Sequence, residues 1–146
     1  MSHITTIELD IKDLDALKVA AEKLGLEFRR GQSTYRWYGR KIGSDPLPVG
    51  FKESDLGKCE HALSVKGNPG AYEIGIVKRR DGRPGYSLLV DWWDGAKGLT
   101  AKVGDNANML RQGYATEITK RYWRKKGYAV TETRREDGTV ILNAVK

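Results

Sequence analysis

The densest concentration of reactive side chains is Asp91-Trp92-Trp93-Asp94-Gly95, two carboxylates and two indoles at the end of an apolar run. On a strand, Asp91 and Trp93 share one face and Trp92 takes the other. Two readings stand open: an aromatic recognition surface flanked by carboxylates, or a core tryptophan followed by a turn. Arg111 falls in the apolar stripe of a long helix, where a guanidinium must reach solvent or meet a carboxylate. An ion pair from Arg111 to Asp91 or Asp94, joining helix to sheet, is therefore expected, in a structural role rather than a catalytic one.

Two further groups mix aromatic and basic residues. Arg36, Trp37 and Arg40 stand with Tyr35, Tyr38 and Lys41 in a stretch that reads as a strand, Tyr35 and Trp37 on one face and Arg36, Tyr38 and Arg40 on the other. Lys120, Trp123, Arg124 and Lys125 stand with Arg121, Tyr122 and Lys126 at the end of the long helix. Trp123 falls off the apolar stripe and is expected at the surface. Cations beside exposed rings suit a single-stranded nucleic acid, which offers phosphates and stackable bases. The competing readings are a half-buried strand with one solvated basic face, and cations drawn to the negative end of a helix.

Catalytic constellations are missing. His3, Cys59 and His61 are the only His and Cys residues, fewer than the four ligands of a closed zinc site. Gly67-Asn68-Pro69-Gly70 and Gly95-Ala96-Lys97-Gly98 lack the form and context of phosphate-binding loops, so no cofactor and no metal is expected. Asp91 and Asp94 are paired carboxylates with no sign of a sugar site.

The elements that position these groups follow from periodicity. Ile7, Leu9 and Ile11 alternate with acidic residues as a half-buried strand. Asp13 caps a helix carrying Leu14, Leu17, Ala21 and Leu24, which ends at Gly25. Short strands are expected at 26–29, 35–40, 62–66, 72–78 and 86–92, and Gly43 to Gly57 reads as a loop. The long helix is capped by Asp105 or Asn106 and ends at Gly127, with Ala107, Leu110, Tyr114, Ile118 and Tyr122 on one face. Strands at 128–134 and 139–145 flank the hairpin turn Glu136-Asp137-Gly138. The expected fold is α+β over a single domain, residues 1–146. Its order is βα, a run of strands, then αββ: a mostly antiparallel sheet of about seven or eight strands with two main helices.

The chain has 26 basic and 19 acidic residues, a net charge of +7. Residues 71–146 hold 15 basic and 9 acidic residues, so most of the excess lies there, which favours a polyanionic partner. One cysteine and the absence of a signal-like or membrane-spanning apolar run point to a cytoplasmic protein with no membrane partner.

Several motifs resemble one family. They are the opening Met1-Ser2-His3-Ile4, the block Val90 to Gly95, the helix segment Leu110-Arg111-Gln112-Gly113-Tyr114-Ala115, and Lys126-Gly127-Tyr128 before Glu136-Asp137-Gly138-Thr139. In order and spacing they are similar to the uncharacterised family that includes the product of the hypothetical chloroplast open reading frame thirty-five. Gly113 departs from that pattern, which has a bulkier residue there, and a glycine weakens a helix. The resemblance implies no catalytic residues. In bacteria, genes of that family are found near a gene for an AAA-class ATPase, so the resemblance implies a protein partner. The expectation is a non-catalytic binding or adaptor domain for a protein partner, such as an ATPase. The alternatives are a nucleic-acid-binding protein using the basic C-terminal half, and an unrecognised enzyme.

Overall fold

The computed structural model describes residues 4–146, so His3 and the start of the opening motif lie outside the described residues. Over the described residues the chain is α+β, with seven strands divided between two sheets. Strands β1 (Ile4–Ile11), β2 (Leu26–Arg30), β3 (His61–Val65), β4 (Ile74–Lys78) and β5 (Tyr86–Asp91) form an antiparallel sheet in the order β1-β5-β4-β3-β2. Strands β6 (Ala129–Arg134) and β7 (Val140–Val145) form a separate hairpin, not an extension of that sheet. Helix α1 (Leu14–Lys23) links β1 to β2, and α3 (Asn108–Lys125) lies against α1.

Local chemistry explains the helix ends. Asp13 Oδ1 accepts the Ala16 amide at 3.0 Å, and Asp15 adds negative charge to the first turn of α1. Helix α3 closes on Gly127 at φ 88°, with the Gly127 amide bonded to the Arg124 carbonyl and the Tyr128 amide to the Trp123 carbonyl. That paired arrangement needs a left-handed residue, which glycine adopts at least cost.

The five-stranded sheet is covered on both faces. Ile7, Leu63, Ile74, Ile76, Leu88 and Val90 point to the helices. Ile4, Ala62, Val77 and Leu89 point the other way, to a second core with Tyr35 and Leu56 from the long connection between β2 and β3. Gly113 has a packing role: a methyl group there would sit 3.4 Å from Ala20 Cβ, so α1 and α3 approach through small residues. Tyr114 Oη accepts the amides of Lys12 and Asp13 at 3.0 and 3.2 Å, fixing α3 to the start of α1.

Four expectations are corrected. The Tyr35–Arg40 stretch is not a strand; its backbone is taken up by carboxylates and single carbonyls, and only Thr34 bridges, to Lys58. A third helix, α2 (Leu99–Val103), follows a left-handed turn in which Asp94, Gly95, Ala96 and Lys97 all have φ between 51° and 60°. Neither Asp105 nor Asn106 caps α3, which starts after left-handed Asn106 and Ala107. Along α3 the buried face runs from Leu110 and Tyr114 to Glu117 and Lys120, so Tyr122 is 52% exposed while Trp123 is half-buried.

Glu117 and Lys120 tolerate burial because they form an ionic chain. Lys23 of α1 meets Glu117 Oε1 at 2.8 Å, Lys120 meets the same oxygen at 3.5 Å, and Lys120 meets Glu132 of β6 at 2.6 Å. Burial raises the Glu117 pKa, but Lys23 and Lys120 outweigh it and hold the carboxyl below 4.5. The hydrogen bond from Lys120 likewise holds Glu132 below 4.5 and keeps Lys120 above 10.5. The carboxylates therefore stabilise the fold fully above pH 4.5, and that contribution is lost as pH falls through their lowered values. The Lys120 contribution is full below pH 10.5 and is lost as pH rises through its raised value. Hydrogen exchange should therefore show the β6–β7 amides losing protection below pH 4.5 before the main sheet does. Glu132→Gln should cost about 2 kcal/mol, between a solvated and a buried pair, and flatten that acid limb.

Candidate binding cleft

The connection from Gly31 to Glu60 runs as an irregular strap across the face of the main sheet away from the helices. Tyr35 crosses β4 where Gly75 leaves room; a methyl group at residue 75 would overlap the phenol ring. Its amide donates to the Gly57 carbonyl at 2.9 Å. Beyond Tyr35 two buried carboxylates hold the strap. Glu73 Oε1 accepts the Arg36 amide at 2.8 Å, and Asp91 Oδ2 accepts the Tyr38 amide at 3.2 Å. Asp91 is fully buried and also accepts the Trp93 amide at 3.0 Å, so one side chain ties the strap to the turn after β5.

The strap leaves the β2–β3 side of this face open as a cleft of about 540 Å³. Its polar lining includes Arg29, Gln32, Arg36, Ser64, Asn68 and Glu73. Glu73 is 5% exposed and also accepts Gln32 Nε2 at 3.2 Å. Arg36 Nη1 donates to the Ala71 carbonyl at 2.7 Å and stands 4.0 Å from Glu73 Oε2. Arg29 Nε donates to Ser64 Oγ at 2.9 Å, and its Nη2 to Glu27 at 3.2 Å. Each guanidinium thus bonds a neutral acceptor and pairs with one carboxylate, Glu27 for Arg29 and Glu73 for Arg36, and retains donors beyond those bonds. Tyr35 also lines the cleft, and its hydroxyl has no hydrogen-bond partner among the described residues.

The residues singled out from sequence are scattered. Arg36 is in the cleft. Trp37 is half-buried in the strap core, its Nε1 against Gly57. Arg40 lies 5.9 Å from the Tyr38 ring centre. Trp92 and Trp93 are half-buried against the helix-side core, and Trp93 meets Tyr38 edge-on at 5.3 Å. Asp94 bonds Lys97 at 2.8 Å, and Lys97 covers the Trp93 ring at 4.4 Å. The expected Arg111 pair is absent: Arg111 Nε donates to the Asn106 carbonyl, Asp91 is occupied by amides, and Asp94 by Lys97. Lys120 belongs to the buried ionic chain and is not available to a ligand. Arg124 and Lys125 are exposed and Trp123 half-buried at the far end of α3.

Sequence reasoning missed Arg29, Gln32, Ser64, Asn68 and Glu73. Glu73 carried a usable signal, as the one carboxylate in the apolar run Ala71 to Val77. The others come together only through the strap.

Among the described residues the geometry gives no activated nucleophile. Burial, then Glu60, pushes the Cys59 thiol up to about 12, and its sulfur donates to the Gln32 carbonyl at 3.2 Å. Burial, then Arg30, lowers the His61 pKa, and Nδ1 accepts the Gly31 amide at 2.9 Å. Among the described residues no three His, Cys, Asp or Glu side chains converge as a metal site. No helix among them is long and apolar enough to cross a membrane.

Comparison with protein-family models, with curated proteins and with solved structures finds no match.

If Asp91 is the anchor of strap and turn, Asp91→Asn should lower stability by about 3 kcal/mol in denaturant unfolding. The amide sets a donor against one of two backbone N–H groups and removes the charge that strengthens both bonds.

Proposed function

We propose that this chain is a non-catalytic binding domain that takes an extended, acidic segment of a partner protein at the β2 edge. The observation that carries the reading is the pair of oriented guanidiniums, Arg29 and Arg36, in an open polar cleft beside a terminal strand of the sheet. An edge strand leaves alternate backbone N–H and C=O groups for an added strand. Arg29 lies on the cleft side of β2, so every second side chain of an added segment would face the cleft. Carboxylates there would meet fork-shaped donors suited to them.

The family resemblance noted from sequence makes an AAA-class ATPase the first protein partner to try. A segment of a few residues with two or three carboxylates would be bound weakly by this site alone, since half-exposed charge pairs contribute about 1 kcal/mol each.

The test is calorimetric titration with a synthetic peptide of alternating Glu and Thr, and with its Lys/Thr counterpart. The Glu peptide should bind, and Arg29→Ala with Arg36→Ala should weaken it about tenfold while leaving the unfolding transition in place. Equal binding of both peptides, or no effect of the double substitution, would overturn the reading.

A further inference from the structure

A second surface lies at the C-terminal end of α3. Arg124 and Lys125 close the helix, Lys126 caps it, and all three are exposed. Lys146 joins them from the end of β7, because Val145 pairs with Ala129 at the start of β6. Between Arg121 and Thr131 there is no acidic residue. Arg121 is neutralised by Asp13 at 3.6 Å, whereas Arg124 and Lys125 form no ion pair among the described residues. The basic turn after β4 differs: Arg79 is held by Asp10 and Asp81, and Arg80 by Asp55.

Aromatic rings are interleaved with these cations. Tyr122, Trp123 and Tyr128 form an edge-to-face series, with centroids 5.2 and 5.1 Å apart. Lys126 stands 4.9 Å from the Tyr122 ring centre and Lys146 5.5 Å from that of Tyr128. The helix dipole accounts for cations in the last turn of α3. It does not account for Lys146, which comes from another element, or for a tyrosine ring left 52% exposed among them.

We infer that this end of the molecule binds single-stranded nucleic acid, its phosphates met by Arg124, Lys125, Lys126 and Lys146 and a base stacked on Tyr122. An unpaired strand offers both the negative charge and the flat apolar faces that this surface complements. A duplex would present its phosphates and keep its bases stacked away from the rings. The site is separate from the cleft at β2 and does not depend on the peptide-binding reading.

Fluorescence anisotropy with a labelled single strand of about 20 bases, the matching duplex, and phosphatidylserine vesicles tests this. The single strand should bind more tightly than the duplex, with a log–log salt slope near about −3 for four phosphates. Arg124→Ala with Lys125→Ala should reduce the slope by about 1.4. Tyr122→Phe should retain binding and Tyr122→Ala weaken it about tenfold. Arg29→Ala with Arg36→Ala should leave it unchanged. Equal or tighter duplex binding, a slope unaltered by the Arg124/Lys125 substitutions, or binding to vesicles without binding to the strand would overturn the inference.

Discussion

The structure depends on how a sheet face is covered without regular structure. An antiparallel sheet can leave one face in water. Here Ile4, Ala62, Val77 and Leu89 make the second face apolar, so it has to be covered. The cover is an irregular strap, and its backbone polar groups cannot be left unpaired against the sheet. Glu73 and Asp91 resolve the conflict by accepting the amides of Arg36 and Tyr38, two positions apart on the strap. The strap bends at Trp37, between those two amides, and two carboxylates and a few single bonds take the place of a ladder. Ionised acceptors make stronger bonds to amides than neutral carbonyls, which suits a segment with few bonds in all.

The cleft follows from the same arrangement. Tyr35 and its neighbours cover the β4–β5–β1 side of the face, where the exposed hydrophobic area was. On the β2–β3 side this face also carries Arg29 and Ser64, whose polar groups bond each other rather than the strap. Glu73 marks the boundary, anchoring the strap on one side and flooring the cleft on the other. A charged floor held by one backbone amide and a glutamine is ordered before any ligand arrives, which limits the ordering cost of binding.

What was legible in the sequence was local. The Asp13 cap, the Gly127 stop and the Glu136-Asp137-Gly138 turn each depend on a few adjacent residues, and the structure places all three as read. The Tyr35–Arg40 alternation was also real, with Tyr35 and Trp37 on the buried side. What the pattern lacked was the bend at Trp37 and the partner, since local alternation does not encode whether a strand or a pair of carboxylates will receive the segment. The rotation of the α3 buried face was illegible for a related reason. Glu117 and Lys120 look like solvent positions until Lys23 and Glu132, distant in sequence, arrive beside them. The left-handed turn at Asp94 to Lys97 is harder still, because Asp, Ala and Lys at positive φ run against their own preference and are held by tertiary contacts.

The ionic chain also decides what kind of object the C-terminal region is. A two-stranded hairpin is marginal alone, and most of β6 and β7 is exposed. Val140, Leu142 and Ala144 are only half-buried, so apolar contact is a modest tether. The Lys120–Glu132 pair adds a directional one at a mostly desolvated point, and Glu117 carries it on to Lys23 of α1. Breaking one member strands a charge beside apolar surface, a cost that falls on the whole chain of contacts. The hairpin is thereby fixed to both helices, and Lys146 is held beside the basic end of α3. The position of that surface is set by buried charge, although its own charges are all in water.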